Sequence, residues 1–252
     1  MEYFVDKDSI VRQIWGKADS ILFIFAGAAA EFALNKAVDW LYFTGRLPED
    51  PLGRLFSTVA YARTIVFAEK EAAHRAIDQI TAIHMAVEEK RGAKIPDWAY
   101  RDVLFMLIDY SIRSFELLER KLSAAEKEEV FRVFERVGSR MQLPGLPKSF
   151  DEWEIMRKEH IEHDLAAGDY TRDLYRRYKL HLGILRYKLL LEVQKLLVPN
   201  KVKFLLNFRR NSTLGPLLKL YKWSRKIKLD WIFKALLLPS NYMSEINALD
   251  QV

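Results

Sequence analysis

Apolar residues recur every three or four positions along nearly the whole chain, the period of helices that each bury one face. The pattern predicts a short helix over 9–15 and a long one over 20–43. The small residues Ala26, Gly27, Ala28, Ala29 and Ala30 sit midway along the second, where another backbone or a flat ligand can come close. Pro48 and Pro51 make residues 45–51 a break, because proline restricts both itself and its predecessor. A helix is expected from near Leu52 toward Phe67, and another over 69–90 that Arg91 and Gly92 stop. Asp97 can cap a helix running through Tyr100 to Leu118. Ser123 and Glu126 have the spacing of a capping box for a helix reaching about Arg140. After a proline-rich turn at 143–147, helices are expected over 150–166 and 170–197, the latter ended by Pro199. No stretch alternates with the period of two that marks a strand, so the expected fold is all-α. The expected organisation is one multi-helix globular domain over 1–199 and a basic C-terminal helical extension over 200–252.

Composition narrows the chemistry. Half of the 252 residues are hydrophobic and 29% are charged, which fits a folded protein with a sizeable core. The absence of cysteine excludes disulfides, thiolate-held zinc, iron–sulfur clusters, a cysteine nucleophile and covalently attached c-type haem. The run Ile21 to Ala30 is too short to span a bilayer, which takes about 20 apolar residues, and the first residues lack the layout of a secretory signal. Cytoplasmic residence is therefore expected, peripheral to a membrane where the extension permits. The net charge of +6 is uneven: from Asn200 onward ten Lys or Arg oppose three acids, giving +7 and leaving −1 on residues 1–199.

Five histidines are the candidate ligands. His84 follows Ile77 and Ile80 and precedes Val87 at helical spacing, so it points with them toward an interior, where an imidazole needs a carbonyl, a carboxylate or a metal. Upstream, Arg54 and Thr58 lie four residues apart on one helix face that continues to Tyr61 and Ile65, with Asp50 a candidate partner for the guanidinium. Glu71 and His74 form one Glu-x-x-His unit, but a carboxylate-bridged di-iron site needs two, so this reads as structure. His160 and His163 could clamp a metal, yet the alternating charges around them read as a solvated face. His181 has aromatic and basic neighbours and no recognisable partner.

The ordered set Asp50-Pro-Leu-Gly-Arg54-Leu-Phe-Ser57-Thr58, then Ala-Ile-His84-Met-Ala-Val, resembles the haem-dependent oxygenase family of MpaB and latex-clearing protein. Tyr110-Ser111, Leu122 to Glu126 and Pro144 to Pro147 are similar in order and spacing, and the resemblance covers roughly Trp15 to Pro199. It implies an all-helical protein that holds haem b noncovalently, with His84 as the axial ligand of the iron and Arg54 and Thr58 on the opposite side. It implies dioxygen as co-substrate and a lipophilic substrate, isoprenoid-like or an unsaturated lipid. Arg54 would pair with a haem propionate or stabilise bound oxygen. Thr58 would donate to oxygen or bond back to its own helix. The chain departs from latex-clearing proteins in carrying Ser57 where they have a lysine, and it shows no counterpart of their active-site glutamate. Activity on rubber is not implied. A non-catalytic helical protein that binds haem or lipid at a membrane surface is the other reading.

The segment 214–239 mixes Lys and Arg with Leu, Ile, Trp223, Trp231 and Phe233. That composition suits an anionic membrane surface, or a helix packed on the domain with its lysines outward. No nucleic-acid-binding motif accompanies it, so nucleic acid is not expected as a partner.

Overall fold

The computed structural model describes residues 2–44, 49–208, 212–216, 218, 221 and 222, with the backbone alone for 51–57. Among these residues the chain forms ten helices and no sheet, in agreement with its helical period. They are α1 (Ile10–Trp15), α2 (Ala18–Phe32), α3 (Asp39–Phe43), α4 (Pro51–Phe67) and α5 (Lys70–Arg91), followed by α6 (Asp97–Leu118), α7 (Ala124–Arg140), α8 (Phe150–His163), α9 (Asp169–Leu197) and α10 (Asn200–Leu205). No described helix is long and apolar enough to cross a membrane.

The local signals act as the sequence predicts at several ends. Ser123 Oγ accepts from the Glu126 amide at 3.3 Å while Glu126 accepts from the Ser123 amide at 2.8 Å, closing the capping box of α7. Gly92 ends α5 at φ 67°, a left-handed conformation that favours glycine. Asp97 is the first residue of α6 rather than its cap, which is Pro96.

The helix expected over 20–43 is instead two helices with a corner between them. Asn35 makes the corner: its Oδ1 accepts from the Ala37 amide at 2.8 Å, an alternative to the helical ladder. Long-range backbone bonds hold the strayed segment, with Ala166 N donating to Leu34 O at 2.8 Å and Lys36 N to Asp164 O at 3.0 Å. A second departure lies within α9, where Gly183 at φ 70° and ψ 173° breaks the helix that periodicity runs straight through.

Helix α6 is the axle of the core. Its most extensive partner is α2, and α7, α8 and α9 also pack on it. The run of small residues in α2 serves this pairing: a Cβ at Gly27 would overlap the ring of Tyr110 from α6. The close approach at Gly27 is thus made by a core tyrosine. Helices α4 and α5 form a hairpin laid against α1, α7 and α9. Past residue 199, Val202 of α10 is fully buried in the same core.

Candidate functional site

Two histidine neighbourhoods stand out, and they are built in opposite ways. The first surrounds His84 on α5. Ile77 is fully buried, Ile80, His84 and Val87 are half-buried, and Ile83 and Met85 are 40% and 63% exposed. The apolar stripe therefore runs from the interior to an open rim, and the imidazole sits near the rim end. Its ring meets Tyr100 edge-on, with centroids 5.2 Å apart. Tyr100 is fixed in turn: its hydroxyl donates to Glu88 Oε1 at 3.0 Å, and the same oxygen accepts from the Ile95 amide at 2.9 Å. Burial, then the hydrogen bond to Glu88, pushes the Tyr100 phenol above its usual range.

His84, Glu88 and Arg91 succeed one another on a single face of α5. Arg91 reaches across to α3, where its Nη2 binds Asp39 at 2.6 Å and its guanidinium stacks 3.9 Å from the Trp40 ring centroid and 5.4 Å from that of Phe43. Its Nη1 is buried and has no hydrogen-bond partner among the described residues. Thr58 is half-buried on α4, the hairpin partner of α5. The side chains of Arg54 and Ser57 lie outside the described residues, and Asp50 is exposed.

The second neighbourhood is a buried ionic network between α2, α6 and α8. Arg157 is clamped by two carboxylates: Nη1 and Nη2 bind Glu31, the latter at 2.7 Å, while Nε and Nη2 bind Asp109 at 3.1 and 2.9 Å. His160 spans Glu31 at 3.0 Å from Nε2 and Asp102 at 2.7 Å from Nδ1. Tyr110 donates to Glu31 at 2.8 Å, Asn35 to Asp102 at 3.3 Å, and Arg113 to Asp109 at 2.6 Å. Glu31, Asp102 and Asp109 thus face Arg157, Arg113 and the imidazole of His160, and a fourth carboxylate, the partly exposed Asp164, lies 3.4 Å from His160 Nδ1. Burial works against the imidazolium, but the hydrogen bonds it donates to Asp102 and Glu31 outweigh it and raise His160 to about 9. Burial likewise opposes the Glu31 carboxylate, and the Arg157 guanidinium overcomes it, bringing Glu31 down to about 2. Burial raises Asp102.

This network corrects the reading of α8 as a solvated face. Arg157 and His160 are buried, whereas His163 is exposed. The signal was the spacing of Trp153, Arg157, His160 and Asp164 on one helical face, with the tryptophan as its apolar anchor. A cleft of about 240 Å³ opens on the network past Trp98, Phe105 and Met156. Ligand atoms of Asp102, His160 and Asp164 lie within 4.8 Å of one another, the spacing a metal ion requires. Nε2 of His160 is engaged by Glu31, outside the trio, while Nδ1 faces the trio's own carboxylates, Asp102 at 2.7 Å and Asp164 at 3.4 Å.

The remaining histidines are peripheral to both neighbourhoods. His74 packs edge-on against Phe4, with centroids 5.9 Å apart, and His181 is exposed on α9. Of the basic segment 214–239, residues 214–216, 218, 221 and 222 are described. Tyr221 donates to Asp19 at 3.0 Å and Lys222 to the Leu117 carbonyl at 2.9 Å, tying its start to the ends of α2 and α6. The rest of that segment lies outside the described residues.

A family model, the catalytic domain of ER-bound oxygenase mpaB/B' and rubber oxygenase, matches residues 13–224. No curated protein and no solved structure matches the chain.

Proposed function

Because the chain belongs to the family of mpaB/B' and rubber oxygenase catalytic domains, we propose that it is a haem b-dependent oxygenase with His84 as the proximal ligand. Its substrates would be dioxygen and a lipophilic molecule, an isoprenoid or unsaturated lipid. The supporting observation is the His84–Glu88–Arg91 face of α5. A buried guanidinium nitrogen without a partner calls for an explanation, and here it lies two helical turns from the imidazole. A macrocycle that carries both a metal and carboxylates answers it, the imidazole taking the iron and the guanidinium a propionate. The residues therefore fit the group. The cysteine-free composition is consistent with noncovalent retention.

When bound, haem supplies a redox-active iron, and the surrounding polarity and access decide what is done with it. The chain supplies the rest. Tyr100, held by Glu88, presses on the edge of the His84 ring and fixes its rotation. Arg91 is oriented by Asp39 and the faces of Trp40 and Phe43. On α4, Thr58 would offer a hydroxyl to the bound group, and the family resemblance gives Arg54 a role beside it. The exposed apolar side chains of Phe43, Ile83 and Met85 provide a surface over which a lipophilic substrate can approach.

The test is the absorption spectrum of protein produced with ample haem. A Soret band present in the wild type and His74→Ala, and lost in His84→Ala, is the expected result; a band retained in His84→Ala overturns the assignment. Oxygen uptake by the loaded protein with unsaturated lipids then separates an enzyme from a carrier, and its absence leaves a non-catalytic haem- or lipid-binding protein.

A further inference from the structure

The outer face of α9 combines two features that are individually unremarkable on a protein surface and together are not. Leu180, Ile184 and Leu185 are 73%, 65% and 67% exposed, three large apolar side chains within six residues. In an unbroken helix Leu180 and Leu185 would diverge by about 140°, so one of them would turn toward the protein. The break at Gly183 lets both point outward. A Cβ at this glycine would meet nothing, so its positive φ, and not crowding, is what requires the residue.

Charge supplies the second feature. From Leu174 to Leu191 there is no acidic residue, while Arg176, Arg177, Lys179, Arg186 and Lys188 contribute five cations. Lys179 and Lys188 are exposed on either side of the apolar tip, while Arg176 and Arg177 are both paired with Asp173, which precedes this stretch. A second copy of the chain is a poor occupant, because a two-fold pairing through this face would set the same cations against one another. An anionic surface with an apolar interior complements both features.

We propose that the broken middle of α9 is a membrane-docking element. Leu180, Ile184 and Leu185 enter the acyl boundary of an anionic bilayer while Lys179 and Lys188 meet its head groups. This element lies outside residues 214–239 in the sequence, and the proposal does not depend on haem binding.

The experiment is co-sedimentation of the full chain with vesicles of phosphatidylcholine alone and of phosphatidylcholine with 30% phosphatidylglycerol. Binding to the anionic vesicles is expected, weakening at high salt. The double variant Leu180→Asp/Ile184→Asp should lose it at least tenfold, and Lys179→Glu/Lys188→Glu about 30-fold or more, since each lysine near such a surface is worth roughly fivefold. All four positions are exposed, so the thermal midpoints should stay near that of the wild type. Wild-type binding by both variants, or no binding of the wild type to either vesicle, overturns the proposal. So does a concentration-dependent dimer in light scattering that the Leu180→Asp/Ile184→Asp variant abolishes, which would make the face an interface between copies.

Discussion

His160 and His84 both sit on helical faces with apolar neighbours, and the structure treats them differently. His160 is 3% exposed and locked between Glu31 and Asp102. His84 is half-buried at the rim of α5, touched by an aromatic edge and flanked by exposed Ile83 and Met85. An imidazole whose two nitrogens are taken by buried carboxylates is spent on holding helices together. The half-buried imidazole at the rim of α5 is the one proposed above to bind haem. The comparison predicts that substitutions in the first neighbourhood damage the fold, and that those in the second damage binding.

The largest effect expected is for Arg157→Met. Removing this guanidinium leaves Glu31 and Asp109 buried without their shared cation, a loss on the order of 3–5 kcal/mol in urea denaturation. The double variant Glu31→Met/Arg157→Met should recover part of that loss, because it removes one of the two stranded carboxylates while Asp109 keeps Arg113. His84→Ala in the haem-free protein should cost about 1 kcal/mol or less, as a half-exposed position leaves little packing to lose. Equal costs at the two sites would end the distinction between them.

Next comes Gly27→Ala. The new methyl group has to displace the ring of Tyr110, which also donates to Glu31, so overpacking and network distortion act together. A loss of roughly 3 kcal/mol is expected, with a lowered thermal midpoint as the readout. This position shows that Gly27 makes room for the Tyr110 ring beside the ionic core.

Much of the fold was legible because its signals are local. The capping box at Ser123 and Glu126, the Gly92 stop and the helical periods need only a few adjacent residues. What escaped was long-range. Asn35 turns the chain because Asp102 and Leu165 wait for it, and nothing within 20–43 announces either partner. Glu31 and His160 are 129 residues apart, and a single sequence holds no record of their pairing. His84 was singled out by its place in an ordered set of residues, whereas Arg91, which depends on α3 for its position, was read only as part of a helix stop.

The pH response tests the buried network directly. His160 is raised from an ordinary 6.5 to about 9, so the stability it contributes is complete below pH 6.5 and lost as pH rises through 9. Glu31 is depressed from 4.5 to about 2, so its contribution is present above pH 4.5 and lost as pH falls through 2. Together they favour the fold most between about pH 4.5 and 6.5. Denaturation at pH 6 and at pH 9.5 should differ by ~2–3 kcal/mol from His160, and His160→Gln should flatten that part of the profile.

The smallest effect tests the rim itself. Tyr100→Phe keeps the aromatic edge against His84 and deletes the hydroxyl that donates to Glu88. Glu88 still accepts from the Ile95 amide, so its carboxylate is not stranded and the global loss should be about 1 kcal/mol, the net worth of one hydrogen bond. The ring, however, is freed to rock. If Tyr100 positions the imidazole, haem should dissociate several-fold faster from Tyr100→Phe than from the wild type, out of proportion to the small stability change. An unchanged dissociation rate would mean that the aromatic edge suffices without its anchor, and would confine the role of Glu88 to joining α5 to α6.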